Sequence, residues 1–311
     1  MRLASVYLAT NQPVPVLLLP SGNYVTLDDL QLSTFAWSKS WRTAVAHLEI
    51  VKNTLEEYVN AGSEGTPPPK TGLKFAPPIT DPRAFRDFYA FEAHVKTARA
   101  RRGLEMLPAW YEIPVFYFSN AASLLGDGAS VYAPFGSQEL DYELELCAII
   151  SRGGRDIPAE HAWEHIAGFT VLNDWSARDL QRKEMSVGLG PAKGKDFATS
   201  LGPCILTLDE VQDHIHDGRI SLEMQARVNG RRLSHGNART MHYSWPQLIA
   251  QASRDADLFP GDLIGSGTVG TGCILELGPE NTGGWLKPGD QVELEIEHLG
   301  VLRNTIVPRP D

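Results

Sequence analysis

The stretch ELDYELELCAIIS, residues 139–151, alternates apolar and acidic side chains over its first half. Because successive side chains of a β-strand point to opposite faces, this alternation predicts a strand. One face would carry the apolar side chains of Leu140, Tyr142, Leu144 and Leu146. The other face would carry the carboxylates of Asp141, Glu143 and Glu145. The sequence therefore predicts a strand with one acidic face.

The chain around this strand carries further β signals. Asn229-Gly230 separates two alternating segments within residues 221–235, which is a strong hairpin signal. Residues 290–307 are predicted to form another hairpin around Leu299-Gly300. One helix is predicted between these two hairpins. Ser244 can cap its start with Gln247 as the capping-box partner, and Pro260-Gly261 is predicted to end it. The predicted fold class is therefore mainly β with some α-helix.

The first 72 residues differ in character from the rest. Residues 1–35 are predicted to form short strands, and residues 41–60 carry apolar side chains at helical spacing. The run GSEGTPPP, residues 62–69, can form neither a helix nor a central strand. We therefore predict a small N-terminal α+β domain over residues 1–72 and a larger domain over residues 73–311.

Composition excludes several functional classes. The chain has 311 residues with 28 basic and 38 acidic side chains, and its net charge of −10 is unlike that of a protein that binds nucleic acid or anionic lipid. It has no apolar run of about 18 residues and no good signal peptide. The three cysteines show no CxxC spacing, which indicates a reducing compartment and no zinc knuckle. We therefore predict a cytoplasmic protein without a nucleic-acid or membrane partner.

Glu143 and Glu145 form the first candidate functional pair. Carboxylates two residues apart on a strand share a face, with Cα atoms about 7 Å apart. Like charges at this distance repel unless a cation lies between them, so the pair is a candidate cation site. The alternative is a solvated strand face. The carboxylates that alternate near the C-terminus are interpreted as such a solvated face: Glu293, Glu295 and Glu297.

The stretch VLNDWSARDLQ, residues 171–181, holds the next candidates. Two apolar residues lead into Asn173-Asp174, and the segment from Trp175 onward has helical character. A carboxylate at a strand end is well placed to bind a metal, so Asp174 is either a ligand or a helix cap. Arg178 and Gln181 lie four and seven residues beyond Asp174 and would share one helical face.

Two glycine-rich segments do not fit nucleotide-binding patterns. In GLGPAKGKDF, residues 188–197, Leu189 stands where a P-loop has its first glycine and Asp196 stands where it has Ser or Thr. We interpret this segment as a loop that presents Lys195, with Lys193 on the surface. Residues 261–272 lack the strand-then-helix arrangement of a dinucleotide site, so NAD binding is not predicted.

The segment RDFYAFEAH, residues 86–94, contributes a histidine and a carboxylate. His94 lies seven residues beyond Asp87, so in a helix both side chains would point the same way. The alternative for a lone histidine is a structural role.

Together these segments resemble the fumarylacetoacetate hydrolase family. The resemblance rests on Asp87-Phe-Tyr-x4-His94, Glu143-x-Glu145, Asn173-Asp-Trp-Ser-Ala-Arg-Asp-x-Gln181 and Gly-Pro-x-x-Gly-Lys195, and it covers roughly residues 80–311. It implies a mixed β-sandwich roll for the large domain, a bound divalent cation and a homodimer.

The resemblance also implies roles for individual residues. The implied metal ligands are Glu143, Glu145 and Asp174, with Asp87 as the fourth. The implied catalytic residues are His94 as general base, Glu276 as its orienting partner, and Lys195. The implied substrate contacts are Tyr89, Arg102 (or Arg101 in its place), Tyr117, Arg178, Gln181 and Thr268.

The chemistry of these residue types agrees with that reading. An all-oxygen site suits Mg²⁺, Mn²⁺ or Ca²⁺ rather than Zn²⁺, and such an ion can chelate a 1,3-diketone or 2-oxo acid and stabilise an enolate. His94, held by Glu276, could activate water, while Lys195 and Arg178 supply positive charge. We therefore expect hydrolysis of a carbon–carbon bond in a β-diketone acid, fumarylacetoacetate- or acylpyruvate-like, through a metal-bound enolate. The alternatives are a 2-oxo acid isomerase, hydratase or oxaloacetate-type decarboxylase, and a non-catalytic binding protein.

Overall fold

The computed structural model describes residues 1–310. Its β-strands are β1 (Arg2–Tyr7), β2 (Pro13–Leu18), β3 (Tyr24–Thr26), β4 (Lys74–Ala76), β5 (Phe85–Phe88), β6 (Phe116–Phe118), β7 (Leu124–Leu125), β8 (Ser130–Val131), β9 (Leu140–Asp141), β10 (Leu144–Ile150), β11 (Ile166–Asn173), β12 (Ser176–Ala177), β13 (Thr199–Thr207), β14 (Ile215–His216), β15 (Arg219–Ile220), β16 (Glu223–Val228), β17 (Arg231–Asn237), β18 (Leu263–Gly265), β19 (Gln291–Ile296) and β20 (Gly300–Ile306). Its α-helices are α1 (Trp41–Ala44), α2 (Leu48–Asn60), α3 (Glu92–Ala100), α4 (Arg178–Met185), α5 (Trp245–Ser253), α6 (Ile274–Leu277) and α7 (Pro279–Thr282). None of these helices is long and apolar enough to cross a membrane.

The larger sheet places β10 in its interior. Its strand order is β3-β2-β1-β13-β11-β10-β18-β5-β6, with β4 beside β1 and β7 beside β13. All seven residues of β10 are buried, because β11 and β18 flank the strand and its two faces pack into different hydrophobic cores. The acidic face predicted from the alternation therefore lies inside the protein.

A second sheet covers one face of the first. Its strand order is β17-β16-β19-β20-β8. Buried and more exposed residues alternate along β19, so one face packs inward and the other points outward. Leu294 and Leu302 of this sheet share one hydrophobic core with Leu146 and Phe169 of the larger sheet. The predicted mixed β-sandwich is thereby confirmed.

Both predicted hairpins are present. β16 and β17 are antiparallel and joined by Asn229-Gly230, whose φ angles of 52° and 76° suit a tight hairpin turn. β19 and β20 are antiparallel and joined by residues 297–299. Local turn chemistry was therefore sufficient to predict these pairings.

The capped helix is present, but its predicted end is wrong. The backbone N–H of Ser244 donates to Oε1 of Gln247 at 2.8 Å, as the capping-box motif predicts. The helix ends at Ser253 rather than at Pro260-Gly261. The chain leaves the helical conformation at Arg254, whose ψ of 119° is extended, and Asp255 then has left-handed backbone with φ of 56°.

One further helix prediction is corrected, and the helical arrangement considered for Asp87 and His94 is not present. The helix expected from Trp175 begins only at Arg178, because Ser176–Ala177 pairs with β9 as a short strand. Asp87 and His94 do not share a helix, since Asp87 lies in β5 and His94 lies in α3. β5 is hydrogen-bonded to β18 on one side and β6 on the other, which holds its backbone extended.

The N-terminal strands are continuous with the larger sheet. β1 pairs antiparallel with β13, from Arg2↔Leu206 to Leu3↔Ile205. The predicted helical region of residues 41–60 comprises α1, a short 3₁₀ segment and α2, and Val51 of α2 packs into the core beneath this part of the sheet. The elements predicted for the first 72 residues are therefore present, and the domain division at residue 72 stays a prediction.

Candidate active site

A cavity of about 340 Å³ brings together nearly all the predicted site residues. They come from β5, α3, β6, β10, α4 and the connections around them. The predicted residues that line the cavity are Asp87, Tyr89, His94, Arg102, Tyr117, Glu143, Glu145, Asp174, Arg178, Gln181, Lys195 and Thr268. Glu276 lies behind the cavity wall, in contact with His94. Segments far apart in the chain thus meet at one place.

Three of the four predicted metal ligands form one group. Oxygen atoms of Asp87, Glu145 and Asp174 lie within 4.8 Å of one another, and all three residues are buried. Each keeps a buried oxygen, Asp87 Oδ1, Glu145 Oε2 or Asp174 Oδ1, without a hydrogen-bond partner among residues 1–310. Unsatisfied buried carboxylate oxygens in one small group match the ligands that a hard divalent cation takes.

The electrostatics of this group favour a cation. Burial raises the pKa of Asp87 and of Glu145 well above their usual ranges, and neighbouring carboxylates raise both further. Burial also raises the pKa of Asp174, although Lys195 opposes the shift. Because three such groups resist ionisation together, a bound cation would stabilise their charged forms.

Asp87 reaches the group because the facing strand residue is a glycine. Asp87 is in register with Gly265 across the parallel β5–β18 pair. A Cβ atom on Gly265 would lie 2.2 Å from Asp87 Oδ1, so no side chain at that position is compatible with this carboxylate. The glycine-rich segment that lacks a dinucleotide pattern therefore makes room for a predicted ligand.

Glu143 lies beside the group but is bonded differently. Its Oε2 accepts from Nζ of Lys195 at 2.5 Å, and its Oε1 accepts from Nη2 of Arg178 at 2.8 Å. The Lys195 ammonium also donates to Oδ2 of Asp174. Burial alone would raise the pKa of Glu143, but Lys195 and Arg178 outweigh burial and hold it below its usual range. Glu143 is therefore a carboxylate with both oxygens engaged.

The lysine loop has the predicted arrangement. Lys195 is 4% exposed, whereas the side chain of Lys193 is 71% exposed. Glu184 fixes the loop by accepting backbone N–H groups of Ala192 at 2.9 Å, Lys193 at 2.6 Å and Gly194 at 3.1 Å. Burial would lower the pKa of Lys195, but the carboxylates around it raise that pKa above its usual value. The surrounding carboxylates therefore favour the charged ammonium form of Lys195.

His94 and Glu276 form a buried pair. Nδ1 of His94 is 2.6 Å from Oε1 of Glu276, and the other carboxylate oxygen accepts the backbone N–H of Thr271 at 3.0 Å. Nε2 of His94 lies 4.0 Å from Oε1 of Glu143. Because an ionised carboxylate only accepts hydrogen bonds, a neutral His94 ring paired with ionised Glu276 carries its proton on Nδ1 and offers Nε2 as a proton acceptor.

Hydroxyl groups surround the carboxylates. Tyr117 donates to Oδ2 of Asp174 at 2.7 Å, and Thr268 donates to Oε1 of Glu145 at 3.1 Å. The ring of Tyr89 packs edge-on against His94, with centroids 5.4 Å apart. Burial raises the pKa of Tyr89 to about 12 and that of Tyr117 well above its usual value, so both phenols stay neutral donors.

The arginines around the cavity differ in their partners. Arg101 is paired with Glu280 at 2.9 Å, and Arg182 is paired with Glu139 at 2.7 Å. Arg102 donates to the carbonyl of Ala98 at 3.1 Å, and no carboxylate within residues 1–310 forms an ion pair with it. Of the two arginines proposed for one substrate contact, Arg102 therefore has the uncompensated charge.

Asp141 is a buried site residue whose role is not evident from the sequence. Its Oδ1 accepts the backbone N–H of Ile274 at 2.8 Å, and its Oδ2 accepts that of Leu275 at 3.0 Å and Nε of Arg178 at 2.9 Å. One carboxylate thus holds both Arg178 and the short helix that carries Glu276. The signal was present, because Asp141 begins the same alternation as Glu143.

Comparison with known families agrees with this architecture. Residues 83–307 match the sequence model of the fumarylacetoacetate (FAA) hydrolase C-terminal family. The chain belongs to this family. Family members include hydrolases and tautomerases, so this is a family of enzymes that act on small molecules.

The individual relatives have moderate or low sequence identity to this chain. Human oxaloacetate tautomerase FAHD2A, mitochondrial, is 38% identical over 196 residues, which cover 62% of this chain and 59% of that protein. The chain thus spans less than two thirds of that curated relative. The structure of fumarylacetoacetate hydrolase from Exiguobacterium antarcticum matches 99% of this chain and 100% of that one, with a TM-score of 0.73 and 23% identity, and shows the fold.

A third relative carries ligands. The crystal structure of fumarylpyruvate hydrolase from Pseudomonas aeruginosa in complex with Mn²⁺ and pyruvate is 26% identical, with a TM-score of 0.59. The match covers 73% of this chain and 91% of that one.

Proposed function

We propose that this protein hydrolyses a carbon–carbon bond in a β-diketone acid of the acylpyruvate or fumarylacetoacetate type, with a divalent cation. The observation that carries the proposal is the buried His94–Glu276 pair, with Nδ1 and Oε1 2.6 Å apart, beside the group of Asp87, Glu145 and Asp174. A pair that can activate water next to a cation site suits hydrolysis of a carbonyl compound.

The cation would be held by carboxylates. Asp87, Glu145 and Asp174 offer free oxygens, and Glu143 would be the fourth ligand through a lone pair that its bonds to Lys195 and Arg178 do not use. The donor set suits Mg²⁺, Mn²⁺ or Ca²⁺, and the Mn²⁺ in the fumarylpyruvate hydrolase relative supports that class of ion. When bound, the ion supplies Lewis-acid stabilisation of negative charge on substrate oxygens.

His94 is the proposed general base. Its Nε2 accepts a proton from water, which attacks the carbonyl distal to the 2-oxo acid end. Glu276 holds the ring through Nδ1 and stabilises the imidazolium that forms, while the Thr271 N–H fixes Glu276. After the carbon–carbon bond breaks, the same proton is available to the carbon atom of the pyruvate fragment that was bonded to the acyl group.

Fixed positive charges complete the site. Lys195 and Arg178 lie against Glu143 and offer positive charge where the leaving fragment becomes negative. Arg102, which has no carboxylate partner of its own, suits a second acidic group on the acyl part of the substrate. We therefore propose a dicarboxylic substrate, which makes fumarylpyruvate-like compounds better candidates than simple acylpyruvates.

Oxaloacetate tautomerisation is the second candidate. The support is the 38% identity to a human protein named for that activity. This reaction moves a proton without breaking a carbon–carbon bond, so it needs a base but no water nucleophile. Isomerisation, hydration or decarboxylation of a 2-oxo acid would use the same cation. The homodimer stays a prediction, which a measurement of the molecular mass in solution would test. The cytoplasmic location also stays a prediction, which cell fractionation would test.

The deciding experiment compares wild type with His94→Ala. We expect wild type with Mg²⁺ or Mn²⁺ to cleave acylpyruvates, as shown by product mass. His94→Ala should bind metal normally and lose about 10²–10⁴-fold in cleavage rate, while any slow oxaloacetate decarboxylation persists. Full-rate cleavage by the variant would refute the role of His94 as general base. Rapid oxaloacetate tautomerisation without diketone cleavage by wild type would select the second candidate.

A further inference from the structure

A second group of possible metal donors lies behind the proposed base. Donor atoms of His94, Cys273 and Glu276 lie within 4.8 Å of one another, and all three residues are buried. Cys273 Sγ is 3.7 Å from Glu276 Oε1, which is itself 2.6 Å from His94 Nδ1. The proposed hydrolysis makes no use of the thiol, so its presence in this group requires another account.

We propose that His94, Cys273 and Glu276 form an inhibitory site for Zn²⁺ or a similar thiophilic cation. One sulfur, one imidazole nitrogen and one carboxylate oxygen are the donor types that zinc prefers, at about 2.3, 2.0–2.1 and 2.0–2.2 Å from the ion. Tetrahedral ligands at these distances lie about 3.4–3.6 Å apart. The 3.7 Å separation of Cys273 Sγ from Glu276 Oε1 therefore fits one ion, and the 2.6 Å contact of His94 Nδ1 with Glu276 Oε1 must widen by about 0.8 Å. Water would complete the four ligands.

The charges of the filled site balance. The thiolate and the carboxylate together neutralise Zn²⁺, and the imidazole is neutral, so no net charge is buried. Binding breaks the S–H bond of Cys273 and releases that proton to water. The ring proton of His94 moves from Nδ1 to Nε2 as Nδ1 becomes a ligand. No oxidation or reduction takes place.

This site is chemically distinct from the carboxylate group. Asp87, Glu145 and Asp174 offer only oxygen, which favours Mg²⁺ or Mn²⁺, whereas sulfur favours zinc. His94 lines the cavity whereas Cys273 and Glu276 do not, so the second site lies behind the cavity wall. Entry requires the His94 ring to turn, and we expect zinc inhibition to develop slowly.

The inhibitory effect rests on the proposed function. If His94 accepts a proton at Nε2, a ring bound to zinc through Nδ1 carries hydrogen at Nε2 and cannot act. Binding of the metal, however, does not depend on catalysis. A spectroscopic measurement of binding can therefore fail or succeed independently of the hydrolase assignment.

The test uses Co²⁺ as a probe on Mg²⁺-loaded protein. Wild type should show the near-ultraviolet absorption of a cobalt–thiolate bond, and Cys273→Ser should not. Cys147→Ser is the matched control, because Cys147 is also buried and faces Gly265 beside the carboxylate group. Absence of the band in wild type, or its persistence in Cys273→Ser and Cys273→Ala, would contradict the proposed metal site. Loss of the band in Cys147→Ser alone would place cobalt elsewhere and also overturn it.

Zinc inhibition is measured in parallel with excess Mg²⁺. We expect slow loss of hydrolysis in wild type and in Cys147→Ser, with at least about tenfold more Zn²⁺ needed for Cys273→Ser. A cobalt–thiolate band together with undiminished hydrolysis at saturating Zn²⁺ would support the metal site. It would contradict both the inhibitory effect of zinc and the role of His94 as general base. If wild type shows no hydrolysis at all, the proposed function fails and the cobalt spectrum still decides the site.

Discussion

Two regions of this protein carry the same acidic alternation and use it differently. Asp141, Glu143 and Glu145, in and before β10, are at most 5% exposed. These carboxylates bind buried cationic side chains and backbone N–H groups, and they lie close to other carboxylates. The second set belongs to β19 and the turn after it, and its side chains are 19 to 44% exposed: Glu293, Glu295 and Glu297.

The difference lies in what covers each strand. β10 has strands on both sides and a hydrophobic core on each face, whereas one face of β19 points outward. Glu293 pairs with Arg303 at 2.7 Å and Glu295 pairs with Arg227 at 2.7 Å, at the surface where such pairs contribute little. Identical patterning therefore acquires chemistry only where burial makes an unpaired charge costly.

The partner cations give the sharpest contrast. We expect Lys195→Met, which removes the ammonium beside Glu143, to lower kcat by about 10²–10³-fold with a much smaller change in KM. Arg303→Met removes the partner of Glu293 and should leave kcat unchanged, as should Lys193→Met. Steady-state kinetics with a substrate that wild type cleaves checks all three. Sensitivity at Lys193 instead of Lys195 would show that the loop is misassigned.

Asp141 tests whether the buried set acts as a unit. Asp141→Asn keeps the shape but weakens the hold on Arg178 and on the helix carrying Glu276, so we expect kcat to fall about 10–100-fold with KM less affected. Asp262→Asn is the matched control, because Asp262 is also fully buried and accepts two backbone N–H groups, from Ala84 and Phe259. Equal losses of kcat in both variants would indicate a structural effect alone.

Stability without metal should depend on pH through the buried set. The pKa values of Asp87, Glu145 and Asp174 are raised in the folded protein, so their contribution to stability is full below their ordinary values and falls as pH rises through the folded values. The lowered pKa of Glu143 adds no further change above its ordinary value. Metal-free protein should therefore lose stability as the pH rises above the ordinary carboxyl pKa range, about pH 4.

Removing one charge from the buried set should relieve this loss. We expect Asp87→Asn to raise the metal-free Tm at pH 8 by about 2–4 °C and to flatten its pH dependence. Added Mn²⁺ should stabilise this variant less than wild type. Glu293→Gln should match wild type in both measurements. A lower metal-free Tm for Asp87→Asn would contradict the electrostatic account.

Local sequence signals predicted much of the fold. Strand alternation, the Asn229-Gly230 turn and the Ser244 cap are decided by neighbouring residues, and all are present. A helix shared by Asp87 and His94, which their spacing allowed, is not present, because strands far along the chain hold Asp87 extended. A local pattern cannot report hydrogen bonds supplied from a distance.

The site was predictable in composition but not in arrangement. Spacing alone singled out Glu143 and Glu145, and family resemblance supplied Glu276, whose contact with His94 spans most of the chain. Neither predicted that Glu143 would be bonded to Lys195 while Glu145 kept a free oxygen. Nor did either give roles to Asp141 and Cys273, because their partners are known only once the segments have packed.

The most direct test of the central claim is a calorimetric titration of Mn²⁺ into metal-free wild type, Glu143→Gln, Glu145→Gln and Glu295→Gln. We predict one high-affinity site per chain in wild type and in Glu295→Gln. Affinity should be at least about tenfold weaker in the other two, since even outer partners of a metal ligand contribute that much. Unchanged affinity in Glu145→Gln, or equal weakening in Glu295→Gln, would contradict the assignment of the cation to the buried set.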